Sequence, residues 1–278
     1  MSEQRVGLIG YPVSHSLSPA MHNAAFQSLG MTDWHYDAME IPPDIVRHGV
    51  SEPRQHGYIG INITIPHKQA VMRYCKPDAL ARAVGAVNTI DFRTDIGTNT
   101  DVPGLIEDLQ AHNVPLKGET VIVLGAGGAA RAAVYGLWQA GAQVIVVNRT
   151  PEKAQAMLTE LTISGGVLNV GVLSMAEALN ASASLIVNST PVGMHPHTDA
   201  SPWSEDLPFP EGITVYDMIY RPAKTRLMAQ AEAHGGRAIG GLGMLVRQGA
   251  AAFEIWTGRP APLDVMFAAV KEALGENA

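Results

Sequence analysis

The sequence has little of what marks a secreted, metal-binding or membrane-spanning protein. Cys75 is the only cysteine in 278 residues, so no internal disulfide can form, and a reducing compartment is expected. Neither an HExxH nor a CxxC pattern occurs, and no metal site is predicted. The amino terminus lacks the charged start and apolar core of a signal peptide, and no run of about 18 apolar residues is present. We therefore expect a cytoplasmic protein with no membrane partner.

Basic charge is also scarce. The chain has 19 Lys and Arg against 26 Asp and Glu, which gives a net charge of −7. A surface of this sign repels nucleic acid unless it carries a local basic patch, and none is found. With 46% hydrophobic and 16% charged residues, the composition is that of a globular protein. The length suits one large or two ordinary domains, and no internal repeat is present.

A glycine-rich segment, Gly125-Ala126-Gly127-Gly128-Ala129-Ala130, follows the apolar run Thr120–Leu124. The run is predicted as a buried parallel strand, the glycines as a tight turn, and the next dozen residues as a helix whose first N–H groups can bind a pyrophosphate. A second strand is predicted at Gln143–Val147. Strand, turn, helix and strand in this order indicate a dinucleotide site. The alternative is a strand-to-helix turn that needs small residues but binds no ligand.

The residue at the end of the second strand indicates which dinucleotide is bound. NAD-binding proteins usually have Asp or Glu there, whereas this chain has Asn148-Arg149-Thr150. A guanidinium favours a 2′-phosphate, so NADP is the predicted cofactor; the alternative is a solvated loop arginine. Strand candidates, including one at 168–172, alternate with helical segments to about residue 240, which is typical of a doubly wound parallel sheet.

The first hundred residues also alternate between strands and helices, but they contain no glycine-rich phosphate turn. We therefore expect a different ligand there. Ser16 and Ser18 precede a helix in which Pro19 is a plausible first residue. Two hydroxyls at a helix N-terminus can hold a carboxylate. The alternative is a helix with Ser18 as its N-cap and incidental serines.

Two further polar segments lie in the same half of the chain. In residues 59–68, isoleucines alternate with small or polar residues, which places Asn62 and Thr64 on one face of a strand. Lys68 follows at the carboxyl end, where open α/β sheets bind ligands. The alternative is a half-exposed edge strand. Asn88 and Asp101 belong to the segments 85–89 and 97–101, for which an Asx turn is the alternative.

Together with residues 188–191, 217–220 and 248–249, these motifs resemble the shikimate dehydrogenase family over residues 7–258, in the order the family has them. The resemblance implies an α/β protein with an N-terminal α/β substrate domain at 1–101. A Rossmann-like doubly wound parallel sheet that binds NADP would occupy 102–240, and the final helices, 241–278, would return to the first domain. It implies reversible NADPH-dependent reduction of 3-dehydroshikimate to shikimate, a small-molecule substrate, in aromatic amino acid biosynthesis, by a monomer or homodimer.

The resemblance also implies roles for individual residues. Lys68 and Asp101 match the catalytic pair. The implied substrate contacts are Ser16, Ser18, Asn62, Thr64, Lys68, Asn88, Asp101, Tyr220 and Gln248. The implied cofactor contacts are Gly125, Ala126, Gly127, Gly128, Ala129, Asn148, Arg149, Thr150, Lys153, Thr190, Pro191, Met218 and Gly243. Gln248 also falls at the edge of an apolar stripe in a helix predicted over 242–257.

Two other functions remain open. The quinate/shikimate dehydrogenase branch has relaxed cofactor use, and Arg149 argues against it. A non-catalytic sensor of shikimate or nucleotide could use the same fold, but it would not need Lys68 together with Asp101.

Overall fold

The computed structural model describes residues 3–167 and 169–275, which form two compact units. The first unit comprises the chain up to Gly104 together with the residues from Leu245 onward, and the second comprises Leu105–Met244. Within the described residues, each unit is built on a six-stranded sheet.

The first part of the chain contains a mixed sheet and the helices that cover it. The elements are β1 (Gln4–Gly10), α1 (Ser18–Ser28), β2 (Trp34–Glu40), α2 (Val46–Gln55), β3 (Gly60–Ile63), β4 (Lys76–Pro77), α3 (Ala79–Val84), β5 (Thr89–Asp91), β6 (Ile96–Thr98) and α4 (Asp101–Ala111). The strand order is β2-β1-β3-β5-β6-β4. β1 is parallel to both of its neighbours, whereas β5 is antiparallel to β3 and to β6.

This topology brings the predicted substrate segments to one edge of the sheet. Because β1 and β3 are parallel neighbours, the Ser16 loop after β1 and the segment from Thr64 to Lys68 after β3 leave the sheet together. Because β5 is antiparallel to β3, its start beside Asn88 lies at this same edge. β6 is antiparallel to β5, so Asp101 follows the end of β6 there as well.

The second part of the chain is a parallel sheet. Its elements are β7 (Thr120–Leu124), α5 (Gly128–Gln139), β8 (Gln143–Val147), α6 (Pro151–Gly165), β9 (Gly171–Val172), α7 (Met175–Ala178), β10 (Leu185–Asn188), β11 (Thr214–Asp217), α8 (Arg226–Ala233) and β12 (Arg237–Gly240). The order β12-β11-β10-β7-β8-β9, parallel throughout, is that of a Rossmann sheet and confirms the predicted fold class. The strand predicted at 168–172 is shorter: Leu168 lies outside the described residues, and β9 contains only Gly171 and Val172.

Alternate residues of β7 belong to two apolar clusters of the second unit. Val121 and Val123 pack with residues of α5 and α6, whereas Ile122 and Leu124 pack with Trp203 and with α8 residues. Since successive strand residues point to opposite faces, this division shows that both faces of the parallel sheet are buried.

Two helices end the chain. α9 (Leu242–Thr257) has the predicted bounds, and α10 (Leu263–Leu274) packs against α1 in the first unit. Of all helices in the described ranges, none combines the length and apolar character that a bilayer span needs.

The structure excludes two of the alternatives that the sequence left open in the first unit. α1 begins at Ser18, so Ser18 is not its N-cap; Leu17 occupies that position and its side chain forms no cap bond. The reason is that the Ser16 hydroxyl already accepts the Ser18 N–H, at 3.3 Å, and Pro19 brings no N–H to be capped. The segment around Asn62 is also no edge strand, because β3 lies between β1 and β5 and is buried on both faces.

Candidate active site

A buried ion pair lies at the edge of the first sheet where these segments meet. Lys68 Nζ donates to Asp101 Oδ2 at 2.6 Å, and the two side chains are only 14% and 5% exposed. Asp101 is the first residue of α4, where the helix dipole favours an anion, and its other oxygen accepts from Asn88 Nδ2 at 2.9 Å. The Lys68 carbonyl accepts the Val87 N–H at 2.8 Å, which fixes the chain there. The pair is therefore held before any substrate arrives.

Amide side chains surround this pair. Asn88 is 2% exposed, and its Oδ1 accepts the Thr100 N–H at 2.7 Å. Its Nδ2 lies 3.5 Å from Gln248 Oε1, and Gln248 Nε2 donates to the Leu245 carbonyl at 2.8 Å. A Cβ on Gly104 would lie 2.9 Å from the Gln248 Cβ, so glycine is what allows this close approach. The first unit thus brings together Lys68, Asn88, Asp101 and Gln248.

The loop after β1 supplies hydroxyls. Ser18 is 6% exposed and forms a hydrogen bond with Tyr36, whose phenol pKa is raised by burial and lowered in part by that bond. Ser16 is partly exposed. Thr64 lies directly after β3, and a Cβ on Gly10 would clash with its methyl group, so Gly10 makes room for it. These hydroxyls lie where a carboxylate or a ring hydroxyl could be bound.

Asn62 differs from the other predicted contacts. It is 5% exposed, and both ends of its amide already have partners inside the protein. Its Oδ1 accepts from the Tyr36 hydroxyl at 2.8 Å, and its Nδ2 donates to Thr89 Oγ1 at 3.0 Å and to the Asn88 carbonyl at 3.3 Å.

The glycine turn of the second unit fits a pyrophosphate. Gly125 has φ +116°, and a Cβ there would lie 2.6 Å from Ser189 Oγ. Gly127 occupies the N-cap position of α5, and a Cβ there would meet nothing within 4 Å. The N–H groups of Gly128 and Ala129 begin the helix and have no intrahelical acceptor, and no acid lies in the first turn. The open N-terminus can therefore accept an anion beside Gly127.

The loop after β8 carries the predicted cationic groups. Asn148 Nδ2 donates to the Thr150 carbonyl at 2.8 Å, and Thr150 occupies the N-cap position of α6 without a side-chain cap bond. Arg149 and Lys153 are exposed. The loop is thus shaped by Asn148, which leaves the Arg149 guanidinium available to a ligand.

A buried carboxylate holds the next two loops of the second unit. Asp217 Oδ1 accepts from Asn188 Nδ2 at 2.9 Å and from the Ile219 N–H at 3.0 Å, and Oδ2 accepts from Thr225 Oγ1 at 2.7 Å. Asn188 Oδ1 in turn accepts from the Thr190 N–H at 3.0 Å and from its hydroxyl at 2.7 Å. Burial raises the Asp217 pKa to about 6, although these three donors favour the anion.

The remaining predicted residues lie on these two loops or at the start of α9. Thr190 and Pro191 follow β10, and Met218 and Tyr220 follow β11. Burial raises the Tyr220 pKa, and Arg221 opposes the shift. A Cβ on Gly243 would clash with the Asp108 carboxylate, so no larger residue fits there without a shift.

Several residues that organise these sites were not predicted. Asn188 and Asp217 end adjacent parallel strands in direct register. Two polar residues at matched strand ends are a pattern that could have indicated them. Tyr36 and Thr89, which hold Asn62, carry no such local signal.

Comparison with known proteins agrees with this arrangement. Residues 8–90 match the substrate-binding domain of shikimate dehydrogenase, 108–194 match shikimate / quinate 5-dehydrogenase, and 241–271 match the shikimate 5′-dehydrogenase C-terminal domain. The shikimate dehydrogenase (NADP(+)) of Methanocella arvoryzae is 42% identical over 274 residues, covering 96% of this chain and 98% of that protein.

Two solved structures resemble the chain over its length. The shikimate 5-dehydrogenase of Thermus thermophilus, in complex with NADP(H) and shikimate, is 39% identical with a TM-score of 0.87, covering 98% of this chain and 100% of that one. The quinate dehydrogenase of Corynebacterium glutamicum, in complex with NAD, is 28% identical with a TM-score of 0.87 over 98% and 100% of the two chains. With a relative at 42% identity over nearly its whole length, this chain belongs to the shikimate dehydrogenase family.

Proposed function

We propose that this protein catalyses the reversible NADPH-dependent reduction of 3-dehydroshikimate to shikimate, in aromatic amino acid biosynthesis. The observation that carries the proposal is the buried Lys68–Asp101 pair, at 2.6 Å, among amides and hydroxyls that suit a polyhydroxylated ring. The lone Cys75 and this biosynthetic role favour a cytoplasmic enzyme, acting as a monomer or homodimer.

Lys68 is the group that moves the proton. Bound NADPH supplies the hydride for the ring carbonyl carbon. The Lys68 ammonium donates a proton to the carbonyl oxygen, and in the reverse direction the Lys68 amine accepts the hydroxyl proton. Asp101 fixes the ammonium by its 2.6 Å hydrogen bond and stabilises its charge.

The other polar groups select the substrate. Ser16 and Ser18 bind the carboxylate, and Thr64, Asn88 and Gln248 bind ring hydroxyls. An analogue that lacks one hydroxyl leaves the protein group that would bind it buried and unpaired, which costs ~1–3 kcal/mol. Such a site therefore discriminates against the analogue more strongly than an apolar pocket would. Tyr220 contributes a further substrate contact.

The second unit holds the cofactor. The open α5 N-terminus at Gly127 binds the pyrophosphate, and Arg149 binds the 2′-phosphate, with Lys153 nearby in the first turn of α6. Asp217 keeps the loops of Thr190 and Met218 in place through the hydrogen bonds described above.

Initial rates with shikimate and quinate, each with NADP and NAD, test the proposal. The shikimate and NADP pair should give the highest kcat/KM. A preference for quinate with NAD would instead support the activity named for the Corynebacterium glutamicum neighbour. Shikimate binding without any turnover would support the sensor.

A further inference from the structure

We propose that Tyr36, Asn62 and Thr89 are positioning residues of the catalytic pair. A buried line of hydrogen bonds runs from the Tyr36 hydroxyl to the Asp101 carboxylate and sets the geometry in which Lys68 transfers its proton. The inference rests on the proposed dehydrogenase function and assigns Asn62 a role other than direct substrate contact.

Each step of this line is a short contact between buried groups. The Tyr36 hydroxyl donates to Asn62 Oδ1 at 2.8 Å, and Asn62 Nδ2 donates to Thr89 Oγ1 at 3.0 Å. Thr89 Oγ1 donates to Asn88 Oδ1 at 3.1 Å, and Asn88 Nδ2 donates to Asp101 Oδ1 at 2.9 Å. None of the five residues is more than 5% exposed. All donors point the same way, so the line ends on the one anion.

The start of the line is rigidly held. The Asn23 side chain accepts the Tyr36 N–H at 2.9 Å and donates to the Tyr36 carbonyl at 3.1 Å. The His22 ring stacks on the Tyr36 ring, with centroids 4.3 Å apart and planes 5° apart. His22 is fully buried, and burial lowers its pKa to about 3, so the stacked ring is neutral. Tyr36 therefore presents its hydroxyl to Asn62 from a fixed position.

The Tyr36 hydroxyl also fixes the orientation of the Asn62 side-chain amide. With that donor, the oxygen of Asn62 must point at Tyr36, and its NH₂ group must point at Thr89. Without the donor, the buried Asn62 oxygen is unsatisfied, and the amide no longer has one preferred orientation. Thr89 and Asn88 then lose a fixed partner, and Asp101 is less well aligned with Lys68.

The experiment compares Tyr36→Phe with a matched control, Tyr58→Phe. Tyr58 belongs to the same unit, is 8% exposed, and donates its hydroxyl to Asp37 Oδ2 at 2.6 Å, outside the line to Asp101. Each variant loses the hydroxyl of a buried tyrosine: Tyr36→Phe loses its hydrogen bonds with Asn62 and Ser18, and Tyr58→Phe loses its hydrogen bond with Asp37. Tyr36→Phe should lower kcat about tenfold, less than the ~10²-fold that a misplacement of about 1 Å can cause. Because Tyr36 also forms a hydrogen bond with Ser18, a proposed carboxylate contact, KM for shikimate should rise as well, and kcat at saturating shikimate is the readout of positioning.

A second readout separates positioning from a general loss of stability. The solvent deuterium isotope effect on kcat should increase in Tyr36→Phe, because proton transfer becomes slower, and should be unchanged in Tyr58→Phe. Thr89→Val breaks the line at its middle, and it should lower kcat in the same way. In a double-mutant cycle the losses of Tyr36→Phe and Thr89→Val should not add, whereas those of Tyr36→Phe and Tyr58→Phe should.

The outcomes are distinct. A folded Tyr36→Phe variant, judged by its Tm, with kcat within about twofold of wild type would overturn the inference. So would an equal kcat loss in Tyr58→Phe, or additive losses with Thr89→Val. In each of these three cases, wild-type turnover of shikimate would leave the proposed function standing, whereas wild-type protein that does not turn shikimate over would overturn both the inference and the proposed function.

Discussion

Replacing Arg149 by Ala is expected to weaken NADP binding and to leave NAD binding nearly unchanged. Arg149 is exposed directly after β8, at the carboxyl edge of the parallel sheet that also carries the glycine turn before α5. The loop itself is held by the 2.8 Å hydrogen bond between Asn148 Nδ2 and the Thr150 carbonyl. Truncating Arg149 therefore removes a guanidinium without removing a bond that shapes the loop.

The size of the effect follows from the number of bonds and their exposure. A guanidinium can form two charge-assisted hydrogen bonds to a phosphate, each worth ~1.5–3 kcal/mol. Because Arg149 is exposed, solvent screening places the expected loss near ~1.5 kcal/mol, which is roughly tenfold in Kd. NAD has no 2′-phosphate, so its Kd should change by less than about twofold.

The assay is calorimetric titration of both cofactors into wild type, Arg149→Ala and a control, Lys117→Ala. Lys117 is exposed and precedes β7, at the edge of the sheet opposite the glycine turn, so its removal changes the net charge equally without touching the loop. The control should leave both Kd values close to those of wild type. Added salt should reduce the NADP preference of wild type more than that of Arg149→Ala. Equal weakening of NADP and NAD in Arg149→Ala would refute the reasoning and make Arg149 a loop support.

Three further outcomes are expected. Lys68→Ala should lower kcat by ~10²–10⁴-fold in initial-rate assays, and its loss should not add to that of Asp101→Asn; strict additivity would show two independent groups. Ser16→Ala should raise KM for shikimate with little change in Tm, and an unchanged KM would remove Ser16 from the site. Because the folded-state pKa of Asp217, about 6, lies above its ordinary 3.8, the folded protein binds more protons between these values, and stability falls as pH rises through this window. Asp217→Asn should flatten that part of a Tm–pH profile, and an unchanged slope would contradict the raised pKa.

Long, strongly patterned elements were predictable, and short ones were not. Thr120–Leu124, Gln143–Val147 and the helix Leu242–Thr257 have the predicted bounds, because each is a continuous apolar run or a clear helical stripe. β4 and β6 contain only two and three residues, too few for any periodicity, and they exist because their neighbours pair with them.

The gathering of the site could also be anticipated. Parallel strands present their carboxyl ends at one edge, so Lys68 after β3 was expected at the ligand edge from the α/β pattern alone. The first residue of α1 could not be predicted from the sequence pattern in this way. Either Ser16 or Ser18 could accept a hydrogen bond from an N–H group of the first helical turn. Which serine does so depends on the backbone angles of the loop and of Pro19, and these angles cannot be read from the residue types.

Asn62 shows where a local pattern stops being informative. Alternation assigns Asn62 and Thr64 to one face of the segment, but a polar face can meet either a ligand or other protein groups. Tyr36 reaches Asn62 from β2 across β1, because the spatial order is β2-β1-β3 although the chain order is β1, β2, β3. The spatial order of the strands cannot be read from a short segment, and it is this order that gives Asn62 its hydrogen-bond partners within the protein. Thr64 lies two residues further along the chain, past the end of β3, and forms no side-chain hydrogen bond within the described residues. Of the two side chains, that of Thr64 is therefore the one that remains available to a ligand.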